Sequence, residues 1–122
     1  RAKKAAEKFG VGTYYTNYDD VLNDPNVDGV VLCTPNNDHH WQSVAAAKAG
    51  KHVLVEKPMA INLNEAMEME QVASDNNVTL MVAQCRRFFK AIETAKSELP
   101  TIGNVIDTTH FLGVPFGQVL TE

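Results

Sequence analysis

The stretch KHVLVEKPMA, residues 51–60, is the most informative part of this chain. Its short apolar run at 53–55 is typical of a buried β-strand. Glu56, Lys57 and Pro58 follow that run directly. An acid, a base and a proline in this position indicate either a strand end that reaches water or a reactive site.

A strand and a helix are predicted before this stretch. The residues DGVVLCTP at 28–35 form an unbroken apolar run, which is typical of a strand buried on both faces in a parallel sheet. The residues NNDHHWQSVAAAKAG at 36–50 predict an alanine-rich helix. We expect this helix to be capped by Asn37 or Asp38 and to end at Gly50.

A helix and a further strand are predicted after it. In NLNEAMEMEQVASDNN, residues 62–77, Asn62 and Glu65 have the spacing of a capping box. The residues VTLMVAQC at 78–85 predict the third apolar strand. The inward stripe of the helix is expected to consist of Ala66, Met69, Val72 and Ala73.

The N-terminal part of the chain gives weaker signals. The residues RAKKAAEKFG at 1–10 predict a helix that ends at Gly10. A short aromatic strand is expected at 13–15, followed by a brief helix at 18–22 that Asn17 caps. The inward face of the first helix is expected to consist of Ala2, Ala5, Ala6 and Phe9.

Strands that alternate with helical crossovers predict an α/β fold, a doubly wound and mostly parallel sheet covered on both sides, similar to a Rossmann fold. A helix at 87–99, stopped by Pro100, would complete a first domain at 1–100. A strand in NVIDTTHFLG, residues 104–113, would then begin a second domain at 101–122.

Polar residues follow each of the three apolar strands. In open sheets of this kind, ligands bind beyond the carboxyl ends of the strands. Because the strands are parallel, these ends lie along one edge of the sheet, which we call the rim. The rim residues are Thr34, Pro35, Asn36, Asn37, Glu56, Lys57, Pro58, Gln84, Cys85, Arg86 and Arg87.

Composition argues against several classes of function. The formal net charge of −4 disfavours binding to nucleic acid, which needs clustered Lys and Arg. There is no run of about 18 apolar residues that could span a membrane, and no signal-peptide pattern. Cys33 and Cys85 are expected to be buried free thiols in a reducing, cytoplasmic compartment. The 4 histidines have no spacing typical of metal ligands, so no metal site is expected.

Three motifs in the chain resemble the signature of a known enzyme family. They are a TPN-x-x-H turn at 34–39, AGKHV at 49–53 and EKP at 56–58. In this order and spacing they closely resemble the glucose–fructose oxidoreductase, inositol dehydrogenase and MocA family, whose members use NAD or NADP. The resemblance extends to IGNV at 102–105 and implies a Rossmann domain followed by an α/β substrate domain.

The resemblance also implies roles for individual residues. Lys57 would be the catalytic lysine, which hydrogen-bonds the reacting oxygen and helps to move its proton while hydride passes to or from the nicotinamide. The residues expected to contact NAD or NADP are Thr34, Pro35, Asn36, Asn37, His39, Glu56, Lys57, Pro58, Gln84 and Arg87.

Some of these residues have alternative interpretations. Lys57 is either a plain surface lysine or an acid–base group made usable by partial desolvation, which the neighbouring Glu56 opposes. His39 either reaches the cleft or packs nearby. Arg87 binds either a cofactor phosphate or a local acid.

Relative to this family, a first βαβ unit with its glycine-rich turn and most of the second domain are missing. We therefore expect a fragment that is inactive alone, and that hides its exposed strand edge by dimerising, by swapping a strand or by borrowing one. The expected parent is a homo-oligomeric NAD(P)-dependent oxidoreductase acting on a sugar, polyol or related hydroxy compound. The alternative is a non-catalytic dinucleotide-binding regulator or scaffold with the same fold.

Overall fold

The computed structural model describes residues 1–104 of the 122 in the chain. The chain divides into two compact units, Arg1–Gln84 and Cys85–Glu122. The strand expected at 104–113 and nearly all of the proposed domain at 101–122 lie outside the described residues. The division into domains at residue 100 therefore stays a prediction.

The first unit is built around a parallel three-stranded sheet of order β1-β2-β3. The two crossovers between these strands are helical, as the sequence predicted. The strands are β1 (Gly29–Leu32), β2 (His52–Val55) and β3 (Leu80–Val82), and the helices of the described chain are α1 (Ala2–Phe9), α2 (Tyr18–Asn23), α3 (Asn36–Lys48), α4 (Leu63–Asp75) and α5 (Lys90–Glu98).

The core lies between one face of this sheet and the helices α3 and α4, which pack on the sheet and on each other. Within α4, Met69 is 1% exposed and Ala73 is 4% exposed, so the inward stripe predicted for this helix is confirmed at its centre. The buried apolar cluster consists of Leu32, Val44, Ala46, Val53, Val55 and Met69.

The opposite face of the sheet is open in the described residues. Val31, Leu54 and Met81 lie in register across the three strands and form an apolar row on this face. Val31 is 67% exposed and Met81 is 39% exposed. The expectation that β1 is buried on both faces is therefore wrong for residues 1–104, because α3 and α4 both lie on the other side.

The N-terminal segment departs from two expectations. No strand forms at 13–15, and β1 is paired only with β2 in the described residues. In α1 the predicted inward face is confirmed at Ala6, which is buried, and wrong at Ala5 and Phe9, which are exposed. Gly10 does end α1 in a left-handed conformation, with φ 68.

Other local predictions meet mixed outcomes. Asn17 caps α2 as predicted, since its side chain accepts a hydrogen bond from the backbone N–H of Asp19. The helix α3 begins earlier than expected, with Pro35 at its N-cap position and no side-chain cap. Both cysteines, Cys33 and Cys85, are free as expected but exposed, so the prediction that they are buried is wrong.

The C-terminal helix is also shorter than the one predicted at 87–99. A 3₁₀ helix at Cys85–Phe88 precedes α5, and a second at Leu99–Thr101 follows it and contains Pro100. Within residues 1–104, no helix has both the length and the apolar character needed to cross a bilayer.

The start of α4 is stabilised by the predicted cap. The Asn62 side chain accepts from the Glu65 backbone N–H at 3.0 Å, and the Glu65 carboxylate accepts from the Asn62 amide at 3.0 Å. Because Asn62→Ala removes this cap, we expect it to lower the free energy of unfolding by about 1 kcal/mol. Urea unfolding measures the loss, and Asn64→Ala in the same exposed first turn is the control, expected to change stability by less than about 0.5 kcal/mol.

A hydrogen bond between Tyr15 and Asp24 predicts a dependence of stability on pH. The Tyr15 hydroxyl donates to Asp24 Oδ2 at 2.5 Å, and this bond lowers the pKa of Asp24 and raises the pKa of Tyr15. The Asp24 contribution is present above the ordinary aspartate pKa of about 4 and is lost as pH falls through the lowered folded value. The Tyr15 contribution is present below about 10 and is lost as pH rises through the raised folded value.

Tyr15→Phe is therefore expected to flatten both limbs of the stability profile. Unfolding in urea at a series of pH values checks this, with Tyr14→Phe as the control, because Tyr14 lies beside Tyr15 and is exposed. Profiles of wild type and Tyr15→Phe that run parallel below about pH 4 and above about pH 10 would contradict the assignment.

Candidate functional site

The parallel register brings the ends of the three strands together at the rim. The backbone N–H of Glu56 donates to the carbonyl of Leu32 at 3.0 Å, and the N–H of Ala83 donates to the carbonyl of Val55 at 2.8 Å. Each strand end is thus hydrogen-bonded to its neighbour. The predicted convergence of these ends is confirmed for the first unit, which ends at Gln84.

Thr34 occupies the rim after β1, and its side chain is held from α3. Its hydroxyl donates to Gln42 Oε1 at 2.6 Å, and Gln42 is 8% exposed. The next three residues, Pro35, Asn36 and Asn37, are exposed and lead into α3. No side chain caps α3. The backbone N–H of Asp38 donates to the Pro35 carbonyl at 2.8 Å, so the N–H groups of Asn36 and Asn37 are the ones that this helix start can offer to a polar ligand.

His39 lies beneath the rim and has no exposed surface. Its Nδ1 is 2.8 Å from the carbonyl oxygen of Pro58, and its Nε2 is 2.9 Å from the carbonyl oxygen of Thr34. The ring therefore bridges two segments of the rim that are distant in sequence. The direct contact with a cofactor expected from the resemblance stays a prediction.

The segment after β2 carries the proposed catalytic lysine. The Glu56 carboxylate accepts from the Lys57 backbone N–H at 2.9 Å, and the Lys57–Pro58 peptide bond is cis. Lys57 is exposed within the described residues, and its use as an acid–base group stays a prediction. The part of the rim after β2 therefore carries a half-buried carboxylate, Glu56, followed by an exposed lysine, Lys57.

Gln84 and Arg87 fall in different units of the chain. Gln84 is exposed, and its backbone N–H donates to the carbonyl of Val82 at 2.7 Å. Arg87 lies in the 3₁₀ helix Cys85–Phe88, where its guanidinium carbon is 5.5 Å from the centroid of the Phe88 ring. Contacts of Arg87 with a phosphate or with a local acid both stay predictions.

The sequence indicated His39 but gave no prediction for two polar residues near it on α3. Gln42 and Ser43 are buried together with His39, and Gln42 accepts the hydrogen bond from Thr34 at the rim. Their spacing of three and four residues from His39 places them on its side of the helix. The available signal was these two polar residues inside an otherwise alanine-rich helix.

Aromatic residues hold α2 against α3. The Tyr18 hydroxyl donates to the backbone carbonyl of Gln42 at 3.0 Å, and the Tyr18 and Trp41 rings meet edge to face at 5.8 Å between centroids. Burial raises the pKa of Tyr18 to about 12, so this tyrosine stays neutral as a donor. Trp41 therefore packs against Tyr18, although it is 48% exposed.

The rim of the first unit offers groups that fit a nicotinamide dinucleotide. Such a ligand carries ribose hydroxyls and a carboxamide, which need donors and acceptors at the edge of a sheet. The available side chains are those of Thr34, Asn36, Asn37, Glu56 and Lys57. Within residues 1–104, no cluster of three His, Cys, Asp or Glu side chains could hold a metal ion.

The first unit matches a protein family described as an oxidoreductase family with an NAD-binding Rossmann fold. The match covers residues 1–84 of the chain. Its C-terminal limit is Gln84, the last residue of the first compact unit.

Individual proteins are similar over most of the chain. The myo-inositol 2-dehydrogenase of Thermotoga maritima is 38% identical over 106 residues, which is 84% of this chain and 31% of that protein. A crystal structure of a probable dehydrogenase from Thermotoga maritima superposes with a TM-score of 0.79 at 34% identity, over 83% of this chain and 31% of that chain.

A levoglucosan dehydrogenase, solved in complex with NADH and levoglucosan, superposes with a TM-score of 0.76 at 34% identity. This match covers 82% of the present chain and 27% of the dehydrogenase chain. The chain thus spans between 27% and 31% of the length of these three proteins. The superpositions confirm the Rossmann-like fold predicted from the alternation of strands and helices.

Proposed function

The chain belongs to the glucose–fructose oxidoreductase, inositol dehydrogenase and MocA family of NAD-binding oxidoreductases, and from this premise we propose that it forms part of an NAD- or NADP-dependent dehydrogenase. The proposed substrate is a sugar, a polyol or a related hydroxy compound. The observation that carries the proposal is the convergence of Thr34, Glu56 and Lys57 on one edge of a parallel sheet.

Two similar proteins support the substrate class. One is named for the oxidation of myo-inositol, and another is solved with both NADH and levoglucosan. These compounds carry several hydroxyl groups, which an edge rich in amide, carboxylate and ammonium groups can hydrogen-bond. A bound nicotinamide would supply the transfer of hydride.

Lys57 is proposed to act on the reacting oxygen of the substrate. In reduction its ammonium would hydrogen-bond the carbonyl oxygen and give it a proton while the carbon of that group gains hydride. In oxidation its amine would accept the proton of the hydroxyl while the carbon of that group loses hydride. The hydrogen bond from the Lys57 N–H to the Glu56 carboxylate fixes the backbone from which this side chain extends. Asn36, Asn37 and the first turn of α3 are proposed to hold the cofactor.

The proposed organisation follows the family. Residues 1–100 would belong to the dinucleotide-binding domain, and residues 101–122 would begin the substrate domain. Contacts of Gln84 and Arg87 with the cofactor, and a homo-oligomeric assembly, belong to the same proposal.

The proposal is tested on the full-length protein that carries this sequence. Titration with NADH and with NADPH, followed by nicotinamide fluorescence, measures cofactor binding. Reduction of the oxidised cofactors is then measured with a panel of inositols, anhydrosugars and aldoses, and hydroxy acids are the control panel. Turnover on a polyol supports the enzyme. Tight binding without turnover on any panel member would favour a non-catalytic regulator instead.

A further inference from the structure

From the bridge that its ring makes between Thr34 and Pro58, we infer that His39 is a positioning residue that holds Lys57 in place at the rim. This inference rests on the proposed function of Lys57. In this positioning role the buried imidazole ring of His39 acts through the backbone of the rim, and it requires no contact with either substrate or cofactor.

The two contacts of the ring have unusual chemistry. Both partners are backbone carbonyl oxygens, 2.8 Å from Nδ1 and 2.9 Å from Nε2. A carbonyl only accepts hydrogen bonds, so each contact needs an N–H on the histidine. A neutral imidazole carries one N–H and donates to one carbonyl, whereas the doubly protonated ring donates to both.

One of the two carbonyls belongs to Pro58, the residue after Lys57. On the other side of the lysine, its own N–H is bound by the Glu56 carboxylate at 2.9 Å. The backbone is thus contacted on both sides of the Lys57 side chain, by the Glu56 carboxylate before it and by the His39 ring after it. A lysine whose backbone is fixed at both ends samples fewer directions for its side chain.

The same ring fixes the neighbouring segment of the rim. His39 Nε2 contacts the Thr34 carbonyl, while Gln42, one turn later in α3, accepts from the Thr34 hydroxyl at 2.6 Å. Because His39 is fully buried and Gln42 is 8% exposed, packing leaves both side chains little freedom. Through α3, the segment proposed to hold the cofactor and the segment that carries Lys57 share one support.

A purely structural role would also satisfy buried hydrogen-bonding groups, because buried polar atoms are nearly always paired. The two roles differ in what their loss changes. Loss of a structural histidine lowers stability everywhere in the unit. Loss of a positioning residue loosens the loop after β2 and lowers kcat more than it raises the KM for the dinucleotide.

The test compares His39→Leu and His39→Gln in the full-length protein. Leucine removes both donors, whereas the glutamine amide can still donate to one carbonyl. We expect kcat to fall by between about 10-fold and 100-fold in His39→Leu, with partial recovery in His39→Gln and a smaller change in the KM for the dinucleotide. His40→Gln is the matched control, because His40 is the next residue of α3 and instead contacts Glu68 Oε2 at 2.9 Å.

Hydrogen–deuterium exchange gives a readout that does not depend on turnover. In His39→Leu we expect faster exchange at 57–60 and 34–37, with exchange in β2 and α4 unchanged. Equal kcat in wild type and His39→Leu overturns the inference, as does faster exchange throughout the first unit. If His39→Leu does not fold, His39→Gln is judged by the same two measurements.

The exchange measurement separates this inference from the proposed function. If Lys57→Ala keeps full turnover, the proposed role of Lys57 fails. Local loosening at 57–60 in the His39 variants would then still show that the ring holds this loop, and unchanged exchange there would show that it does not.

Discussion

Lys57→Ala is expected to lower the proposed turnover of the full-length protein by about 10²-fold to 10⁴-fold, the usual contribution of a positioned acid–base group. Alanine removes the only lysine of the rim. It leaves in place the backbone N–H that donates to Glu56. Steady-state kinetics with saturating cofactor and polyol measure the effect. We expect thermal unfolding to be nearly unchanged, because Lys57 is exposed.

The matched control for this substitution is Lys48→Ala. Lys48 is an exposed lysine in the last turn of α3, at the end of that helix away from the rim. Because Lys48 lies away from the rim, its replacement is expected to leave turnover within about twofold. The free energy of unfolding is expected to change by less than about 0.5 kcal/mol, as is usual for surface substitutions. Full turnover in Lys57→Ala would remove Lys57 from the mechanism. Binding of the dinucleotide without turnover in wild type would favour the regulator.

Met69→Ala is expected to give a large loss of stability, about 2–5 kcal/mol. Met69 is 1% exposed and belongs to the buried cluster between α4 and the sheet. Alanine would remove the apolar contacts that Met69 makes in that cluster and leave a cavity. Because most domains have only about 5–15 kcal/mol in total, this loss would be a large fraction of the stability of the unit.

The control for Met69→Ala lies on the same helix. Met67 is 59% exposed, so Met67→Ala removes the same atoms from a position that water already reaches. Its expected effect is within about 0.5 kcal/mol. Urea unfolding of both variants compares them directly, and equal losses would mean that α4 does not face the sheet in the way described.

The sequence predicted the part of the fold that depends on short-range patterns. The apolar runs at β1, β2 and β3 and the cap at Asn62 all have local physical causes, and these features were confirmed. The predictions failed where the burial of a side chain depends on residues that are distant in the sequence. The apolar character of Val31 and Phe9 indicated burial, but in the described residues these two side chains are 67% and 72% exposed.

The residues of the rim were predicted from the sequence, but the hydrogen bonds between the rim and the buried side chains of α3 were not. The residues of the rim follow strands, so their common edge could be derived from parallel pairing alone. The bridge from His39 to Pro58 could not, because it joins residues 19 positions apart through a carbonyl that any amino acid would supply. A hydrogen bond from a side chain to a backbone carbonyl does not require any particular residue type at the acceptor, so the sequence does not reveal it.

The residue-by-residue alignment of the strands limits how this protein tolerates insertions and deletions. Val53 and Val55 face the core, while Leu54 faces the other side of the sheet. One extra residue inside β2 would therefore turn each later side chain of the strand to the opposite face of the sheet. It would also advance Lys57 by about 3.3 Å along the strand axis, away from the carbonyl geometry that His39 meets. Changes of chain length are therefore expected to accumulate in the turns that precede the strands, such as the one at 24–27.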